Sequence, residues 1–562
     1  MSVAARTERE APRWSALNRN ANPATLAVLA GLWLASVCNW PLWRALWALP
    51  EMHSARGGLF LFSLGLMIAA LAAAVLALLA WPRSIKPAIG LLVLAAALGA
   101  HFMGSYGVVI DPTMMVNVLN TDLHETGELL NGRLLLSVLV LAGLPMLLLW
   151  RLRLARVGAG GQAWRNAVVL VGSLTLLITL AVLSFAELSS TMRNHKSLRY
   201  MVNPANSFVA LGRLALRARG QPAGPPLAMG TDVKLLPRPT GARPPLLMLV
   251  VGETARADHF SSNGYARPTN AETAPLGLVS FHNVTSCGTN TAASLPCMFS
   301  HLGREAFLAR ERDHENLLDL LQHAGMAVLW LDNQSGCKGL CARVPNAMAR
   351  DAPPGMRHAD GLCDGDECLD EALLTGLDQR LAALPEARRA RGVVLVLHQM
   401  GSHGPAYYKR SPPQRKPFLP ECTTNVLQQC PPEQLVNAFD NSIAYTDHVL
   451  ARAVAWLAQQ QANFAPTLLY VSDHGESLGE NNLYLHGMPY AVAPREQKQV
   501  PMLVWLPAQT DAPGGVRADC LRTLLDTPLT HDNLFHTVMG LVGLTSSEYR
   551  PALDVSHACR SG

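Results

Sequence analysis

Three short stretches of the chain carry side chains suited to moving a chemical group by way of a hydroxyl. Ser286-Cys287-Gly288-Thr289-Asn290-Thr291 sets Thr291 in a small polar turn flanked by Cys287 and Cys297. Leu249-Val250-Val251-Gly252-Glu253 and Tyr470-Val471-Ser472-Asp473-His474 each end an apolar, strand-like run on an acid or a histidine. An open α/β sheet presents its ligands at the carboxyl ends of its strands. Two carboxylates, one imidazole and a hydroxyl make a donor set that suits zinc. Coordination lowers the pKa of a bound hydroxyl enough to give an alkoxide near neutral pH. Thr291 is then a candidate covalent nucleophile toward phosphorus or sulfur, with Glu253, Asp473 and His474 as the other metal ligands. An Asp-His-Gly triplet alone is more often a loop or cap; the combination with the other two stretches is the specific signal.

Two histidines stand in similar glycine-containing settings: His403 in Gly401-Ser402-His403-Gly404-Pro405 and His486 in Tyr484-Leu485-His486-Gly487. Either could protonate a leaving alkoxide or bind a second metal ion, the plain alternative being a capped turn. Lys338, with Ser335 nearby, lies in a loop bounded by Cys337 and Cys341 and could neutralise a phosphate oxygen, although most surface lysines do nothing specific.

These residues need a scaffold. From Pro245 onward, short apolar runs alternate with helical patterns. Leu246–Val251, Ala327–Leu331, Gly392–His398, Thr467–Val471 and Val500–Leu506 read as strands. Leu317–Ala324, Glu371–Leu384, Leu435–Gln459 and His531–Val542 read as helices. The alternation predicts an α/β domain with a largely parallel central sheet.

The preceding part of the 562-residue chain is far more apolar. Ala24–Trp43, Leu59–Trp81, Ile89–Gly104, Leu134–Trp150 and Val168–Leu188 are candidate bilayer spans, the third being the shortest. Arg6, Arg9, Arg13, Arg19, Arg83, Lys86, Arg151, Arg153, Arg156 and Arg165 fall on one side if all five cross, which makes that side, and the N-terminus, cytoplasmic. No cleavable signal pattern is expected, so the first span anchors the chain. The C-terminal part then lies outside the cytoplasm. A net charge of +5, without a basic stripe interleaved with aromatics, gives no argument for nucleic acid.

The cysteines agree with this topology. Of eleven, only Cys38 lies in a span. The rest read as disulfides made in an oxidising compartment: 287–297, 337–341, 363–368, 422–430 and, by elimination, 520–559. A zinc site built from Cys337, Cys341, Cys363 and Cys368 is the competing reading.

The loop Ser105–Arg133 carries Asp111, Asn117, Thr121, Asp122, Glu125 and Glu128. On a helix, Asn117, Thr121 and Glu125 would line one face, which by spacing alone is as expected of an ordinary solvated surface. Ser189–Leu216 could be a helix along the membrane surface, followed by a Gly/Pro-rich linker. The division expected is a transmembrane domain over 1–188, a surface helix and linker over 189–243, and a catalytic domain over 244–562.

The motifs Val251-Gly252-Glu253-Thr254-Ala255-Arg256, Cys287-Gly288-Thr289-Asn290-Thr291, Pro296-Cys297-Met298-Phe299-Ser300, Gly401-Ser402-His403-Gly404-Pro405 and Ser472-Asp473-His474-Gly475-Glu476-Ser477-Leu478-Gly479-Glu480-Asn481 carry a resemblance. The chain resembles the bacterial phosphoethanolamine transferases that modify lipid A, including colistin-resistance enzymes, within the alkaline phosphatase/sulfatase superfamily. It lacks the Cys-x-Pro-x-Arg element of sulfatases. The resemblance implies Glu253, Thr291, Asp473 and His474 around one zinc, and Thr291 as the phosphoethanolamine acceptor. It implies Asn117, Thr121 and Glu125 as donor-headgroup contacts, reversing the reading from spacing, and Ser335, Lys338, His403 and His486 near the substrate or a second zinc. The donor would be phosphatidylethanolamine, the acceptor lipid A, the location the bacterial inner membrane with the catalytic domain in the periplasm, and the consequence polymyxin resistance. No obligate protein partner is expected. The alternatives are transfer to core sugars or another envelope glycan and, from a different class, a non-catalytic envelope factor or transporter. The spans hold few ionisable residues, which argues against transport.

Overall fold

The computed structural model describes residues 20–121, 123–155, 157–220, 224–359, 361–365, 367–507 and 515–560. Arg6, Arg9, Arg13, Arg19, Asp122 and Arg156, and the side chain of Glu125, lie outside the described residues. Contacts divide the chain into two compact units, one of Met1–Ser105 and Gly132–Val209, the other of Tyr106–Asn131 and Ala210–Gly562.

In the first unit, Ala55–Leu78, Ile85–Tyr106, Gly132–Arg151 and Ala159–Leu183 are long and apolar enough to cross a membrane. Pro23–Ser36 and Trp40–Trp47 form a pair bent by 45° and supply a fifth candidate. The first expected span is therefore broken. At the break, fully buried Asn39 exchanges hydrogen bonds with Asn203, its Nδ2 donating to the Asn203 carbonyl (2.6 Å) and its Oδ1 accepting from the Asn203 N–H (2.9 Å). A buried amide needs such partners, and the local geometry follows from supplying them. The third span is longer than its apolar run suggested. Ser189–Leu216 is not one helix: Phe185–Asn194 ends before a 3-10 turn, Lys196–Tyr200, and a new helix, Ala205–Gly220, starts after Pro204, which lacks the N–H that a helix interior requires.

The second unit is built on an eight-stranded sheet. Its strands are β1 (Pro245–Gly252), β2 (Val279–Thr285), β3 (Ala327–Asp332), β4 (Asn346–Met348), β5 (Val393–His398), β6 (Ala465–Ser472), β7 (Gln499–Trp505) and β8 (Leu529–Thr530). The order is β8-β2-β7-β6-β1-β5-β3-β4. β6, β1, β5, β3 and β4 run parallel, and β7 is antiparallel to both of its neighbours. β1 shows why its sequence reads as an unbroken apolar run. Leu247, Leu249 and Val251 enter one core, and Leu246, Met248 and Val250 enter the other. A parallel strand covered on both faces has no solvent side for polar residues.

β2 was not legible as a strand, because Val279–Thr285 mixes Ser280, His282 and Asn283 with its apolar residues. The expected Glu371–Leu384 helix is two pieces, Asp370–Leu374 and Leu377–Ala382. They are separated by Gly376 at φ 67°, where a Cβ would come within 2.5 Å of Pro353. Residues 106–131 pack within this second unit. There the helix Pro112–Asn120 stops at Thr121, whose hydroxyl bonds back to the Asn117 carbonyl (2.9 Å) while its backbone turns extended. Asn117, Thr121 and Glu125 therefore do not share one continuous helix face. A threonine hydroxyl offers the backbone this local alternative to helix.

Candidate active site and metal centre

The register of the parallel strands assembles the site. Gly252 at the end of β1 lies opposite Ser472 at the end of β6, while Val251 faces His398 at the end of β5, which in turn faces Asp332 at the end of β3. Each next few residues then emerge side by side: Glu253 after β1, Asp473 and His474 after β6, His403 after β5, and Gln334, Ser335 and Lys338 after β3.

Thr291 opens the helix Thr291–Met298, whose N-cap, Asn290, accepts from the Ala293 N–H (2.9 Å). Its hydroxyl donates to Glu253, with Oγ1 3.0 Å from Oε2 and 3.2 Å from Oε1, and lies 3.4 Å from His474 Nε2. His474 Nδ1 is 2.9 Å from the Gly475 carbonyl. An N–H donated there sets Nε2 as the ring atom facing Thr291 and Glu253. Glu253, Asp473 and His474 each offer a donor atom within 4.8 Å of the others, the one such cluster among the described residues. All three are fully buried.

Burial and mutual charge set the electrostatics of this cluster. Burial alone would raise the Glu253 carboxyl, but the hydrogen bond and charge of His474, with His403 and His486 behind, hold it well below the ordinary range. Asp473 is driven the other way, to about 7, by burial and by the neighbouring Glu253. Burial disfavours the imidazolium of His474, yet Asp473 and Glu253 raise it to about 10. Asp473 Oδ2 is buried without a hydrogen-bond partner. Two buried carboxylates beside one imidazole, with one oxygen orphaned, are the donor chemistry of a divalent cation site. Zinc fits these residues.

Around the cluster, the histidines expected from the sequence are brought close. The His486 ring lies 4.4 Å from that of His474 and 5.7 Å from that of His403. Lys338, at φ 47°, donates from Nζ to Ser335 Oγ (2.7 Å). Of the residues expected to contact a donor headgroup, Asn117 lies on a helix that packs against the Thr291–Met298 helix.

Four residues that sequence reasoning passed over complete the site. Gln334 Nε2 donates to Glu253 Oε2 (3.3 Å), and its Oε1 accepts from the Ser335 hydroxyl (2.6 Å). Asp370 accepts from the Met400 and Gly401 N–H groups (2.7 and 2.8 Å), fixing the turn that leads to His403. Glu476 lies 3.4 Å from His486 Nδ1 and accepts from the Tyr407 hydroxyl (3.0 Å). His531, which the sequence offered only as the start of a helix, is buried, and burial lowers it to about 4. Its Nδ1 accepts from the Cys287 N–H (3.0 Å) and its Nε2 donates to the Ser472 carbonyl (3.0 Å). The neutral ring thus ties the Thr291 turn to the end of the strand that Asp473 follows.

Disulfides join Cys287 to Cys297, Cys337 to Cys341, Cys363 to Cys368, Cys422 to Cys430 and Cys520 to Cys559. Cys337, Cys341, Cys363 and Cys368 are therefore not a zinc site.

The family model described as Sulfatase matches residues 245–544. The second unit is thus a sulfatase-type α/β domain of the alkaline phosphatase superfamily. A second model, Phosphoethanolamine transferase EptA/EptB, matches residues 68–218. Phosphoethanolamine transferase EptA of Escherichia coli K12 is 40% identical over 483 residues, covering 84% of this chain and 86% of that protein. Phosphatidylethanolamine transferase Mcr-1 of Escherichia coli is 38% identical over 473 residues, covering 83% and 85%. The integral membrane lipooligosaccharide phosphoethanolamine transferase A (EptA) of Neisseria meningitidis superposes with a TM-score of 0.89 at 32% identity, covering 96% of this chain and 99% of that structure. The chain belongs to the EptA/EptB-type phosphoethanolamine transferases, multi-pass inner-membrane proteins with a periplasmic catalytic domain.

Proposed function

We propose that this chain moves phosphoethanolamine from phosphatidylethanolamine to a phosphate of lipid A through a phosphoethanolamine-Thr291 intermediate. The observation that carries the reading is the position of the Thr291 hydroxyl, buried at a helix start and within hydrogen-bond reach of Glu253. Glu253, Thr291, Asp473 and His474 would hold one zinc ion, and His403 and His486 are the residues for a second. Bound zinc would supply Lewis acidity, lowering the pKa of the Thr291 hydroxyl and offsetting charge on phosphate oxygens.

The chain's own groups do the rest. Thr291 Oγ gives up its proton to solvent and forms a bond to phosphorus while the bond from phosphorus to the diacylglycerol oxygen breaks. His403 or His486 gives that oxygen its proton, so diacylglycerol leaves neutral. Ser335 and Lys338 bind phosphate oxygens. Asn117, Thr121 and Glu125 take the donor headgroup. A lipid A phosphate oxygen then attacks the phosphorus, and Thr291 leaves and regains its proton. Because donor and acceptor are both lipids, anchoring through residues 1–188, with 189–243 as connector to the catalytic residues 244–562, confines the search to one interface. The added ammonium offsets lipid A charge and weakens attraction for polymyxins.

Mass spectrometry of lipid A from polymyxin-sensitive cells expressing the wild type or Thr291→Ala tests this. A phosphoethanolamine increment with the wild type only is the expected outcome. Unmodified lipid A beside folded wild-type protein would move the acceptor to core sugars or another glycan. An increment that persists in Thr291→Ala would overturn the covalent step.

A further inference from the structure

The segment 106–131 touches the loops of both candidate proton donors. At its N-terminal side, a Cβ on Gly487, next to His486, would come within 2.8 Å of Met114. At its C-terminal side, Arg410 Nη2 donates to Glu128 Oε2 at 2.5 Å, and both side chains are about 95% buried, at 6% and 4% exposed. The same guanidinium donates from Nε to the backbone carbonyl of His403 (2.8 Å). Asn425 Nδ2 donates to the Glu128 carbonyl (2.8 Å) and fixes it from behind. Glu128, Ser335, His403 and Arg410 all line one cavity of about 760 Å³.

A buried ion pair is a poor way to gain stability over apolar packing, because desolvation offsets most of the attraction. Its geometric value is direction: the planar fork of arginine can face two acceptors at fixed angles. Here one acceptor belongs to the segment carrying Asn117 and Thr121, and the other is the backbone of His403. We infer that Arg410 and Glu128 are a positioning pair that makes the placement of His403 depend on the docking of segment 106–131. Both residues act through His403. The inference rests on the transferase reading for its kinetic consequence, and on the contacts alone for its structural one.

The test uses zinc-loaded full-length protein and vesicles of phosphatidylethanolamine and lipid A, with diacylglycerol release as the rate and hydrogen exchange as the structural readout. Glu128→Gln keeps the shape and removes the charge. A mere staple for the segment would raise KM and leave kcat alone. A positioning pair predicts that kcat falls about tenfold, the scale of a partly misplaced general acid, with faster exchange in 401–411 as well as in 106–131. Arg410→Lys can still pair with Glu128 but does not span both acceptors, so KM stays at the wild-type value while kcat falls. The Glu128→Gln/Arg410→Gln double variant is no worse than its poorer single variant. An effect of Glu128→Gln on KM alone, exchange changes confined to 106–131, or additive single variants would each overturn the inference. If Glu128→Gln does not fold, Asn425→Ala loosens the same tie without touching a charge; a kcat fall of about threefold supports the pair and an unchanged kcat overturns it. Wild-type protein releasing no diacylglycerol would sink the transferase reading, and the exchange arm would still decide the pairing.

Discussion

Gly401→Ala should damage the metal centre from a position that carries no side chain. Gly401 sits at φ 52°, and a Cβ there would lie 2.6 Å from the Glu253 carbonyl oxygen and 2.9 Å from its nitrogen. Two costs add. Alanine in the left-handed region costs about 1–2 kcal/mol, and forcing a methyl into backbone costs about 1–3 kcal/mol more. Gly264 separates them, since it has φ 93° and nothing within 4 Å of its Cβ position. Gly264→Ala should show the conformational cost alone. The Tm of Gly401→Ala should therefore fall below that of Gly264→Ala by roughly 2–12 °C, at about 2–4 °C per kcal/mol. The strain falls on the backbone of Glu253, whose carbonyl also accepts from the Ser402 N–H (3.0 Å). Zinc retention against a competing chelator should accordingly weaken about tenfold in Gly401→Ala and not at all in Gly264→Ala. Equal Tm losses in the two variants, with equal zinc retention, would refute the claim that this turn braces Glu253.

Gln334→Leu removes a donor to Glu253 and an acceptor for Ser335; zinc retention should drop about tenfold, read by chelator competition. Asp332→Asn should change how stability depends on pH. Burial disfavours the charged form of His398, but the Asp332 carboxylate, 3.0 Å away, raises its pKa above the usual histidine value. A raised folded-state pKa gives stability that is complete below the unfolded value and is lost as pH climbs through the folded one. The wild type should thus lose more Tm between pH 6 and pH 9 than Asp332→Asn does, and equal losses would exclude the pair as the source.

Glu253, Asp473 and His474 were legible because each directly follows a strand that announces itself. An apolar run buried on both faces, followed at once by Glu253 or by Asp473 and His474, needs no tertiary information to be noticed. The supporting residues lack such a signal. Gln334, Asp370 and Glu476 are ordinary polar residues in irregular segments, and their roles arise only when β3, β5 and β6 lie side by side. His531 was visible only as one end of a helical pattern, because its ring packs against residues distant in sequence. Helix continuity failed for similar reasons. Periodicity cannot show that Gly376 turns left-handed or that Thr121 bonds back to Asn117. The disulfides were easier, since four of the five close loops of ten residues or fewer along the sequence.

Thr291, the proposed nucleophile, sits on an element that does not hold its own shape. Thr291–Met298 is an eight-residue helix with Pro296 inside it, far below the length at which a helix persists in water. Its order must come from outside. Asn290 caps its start, and Cys287–Cys297 closes it into a short loop. In the chain-entropy account, such a crosslink is worth about 3 kcal/mol through the unfolded chain. Ser294 Oγ donates to the Asp473 carbonyl (2.5 Å), and His531 accepts from the Cys287 N–H (3.0 Å). The last two contacts tie the turn to the residues beside it in the metal cluster, so the position of Thr291 and the position of Asp473 are set together. In the proposed reaction, where this hydroxyl meets both a carboxylate pair and a phosphorus atom, such fixing matters most, because misplacement by an ångström can cost about a hundredfold in rate.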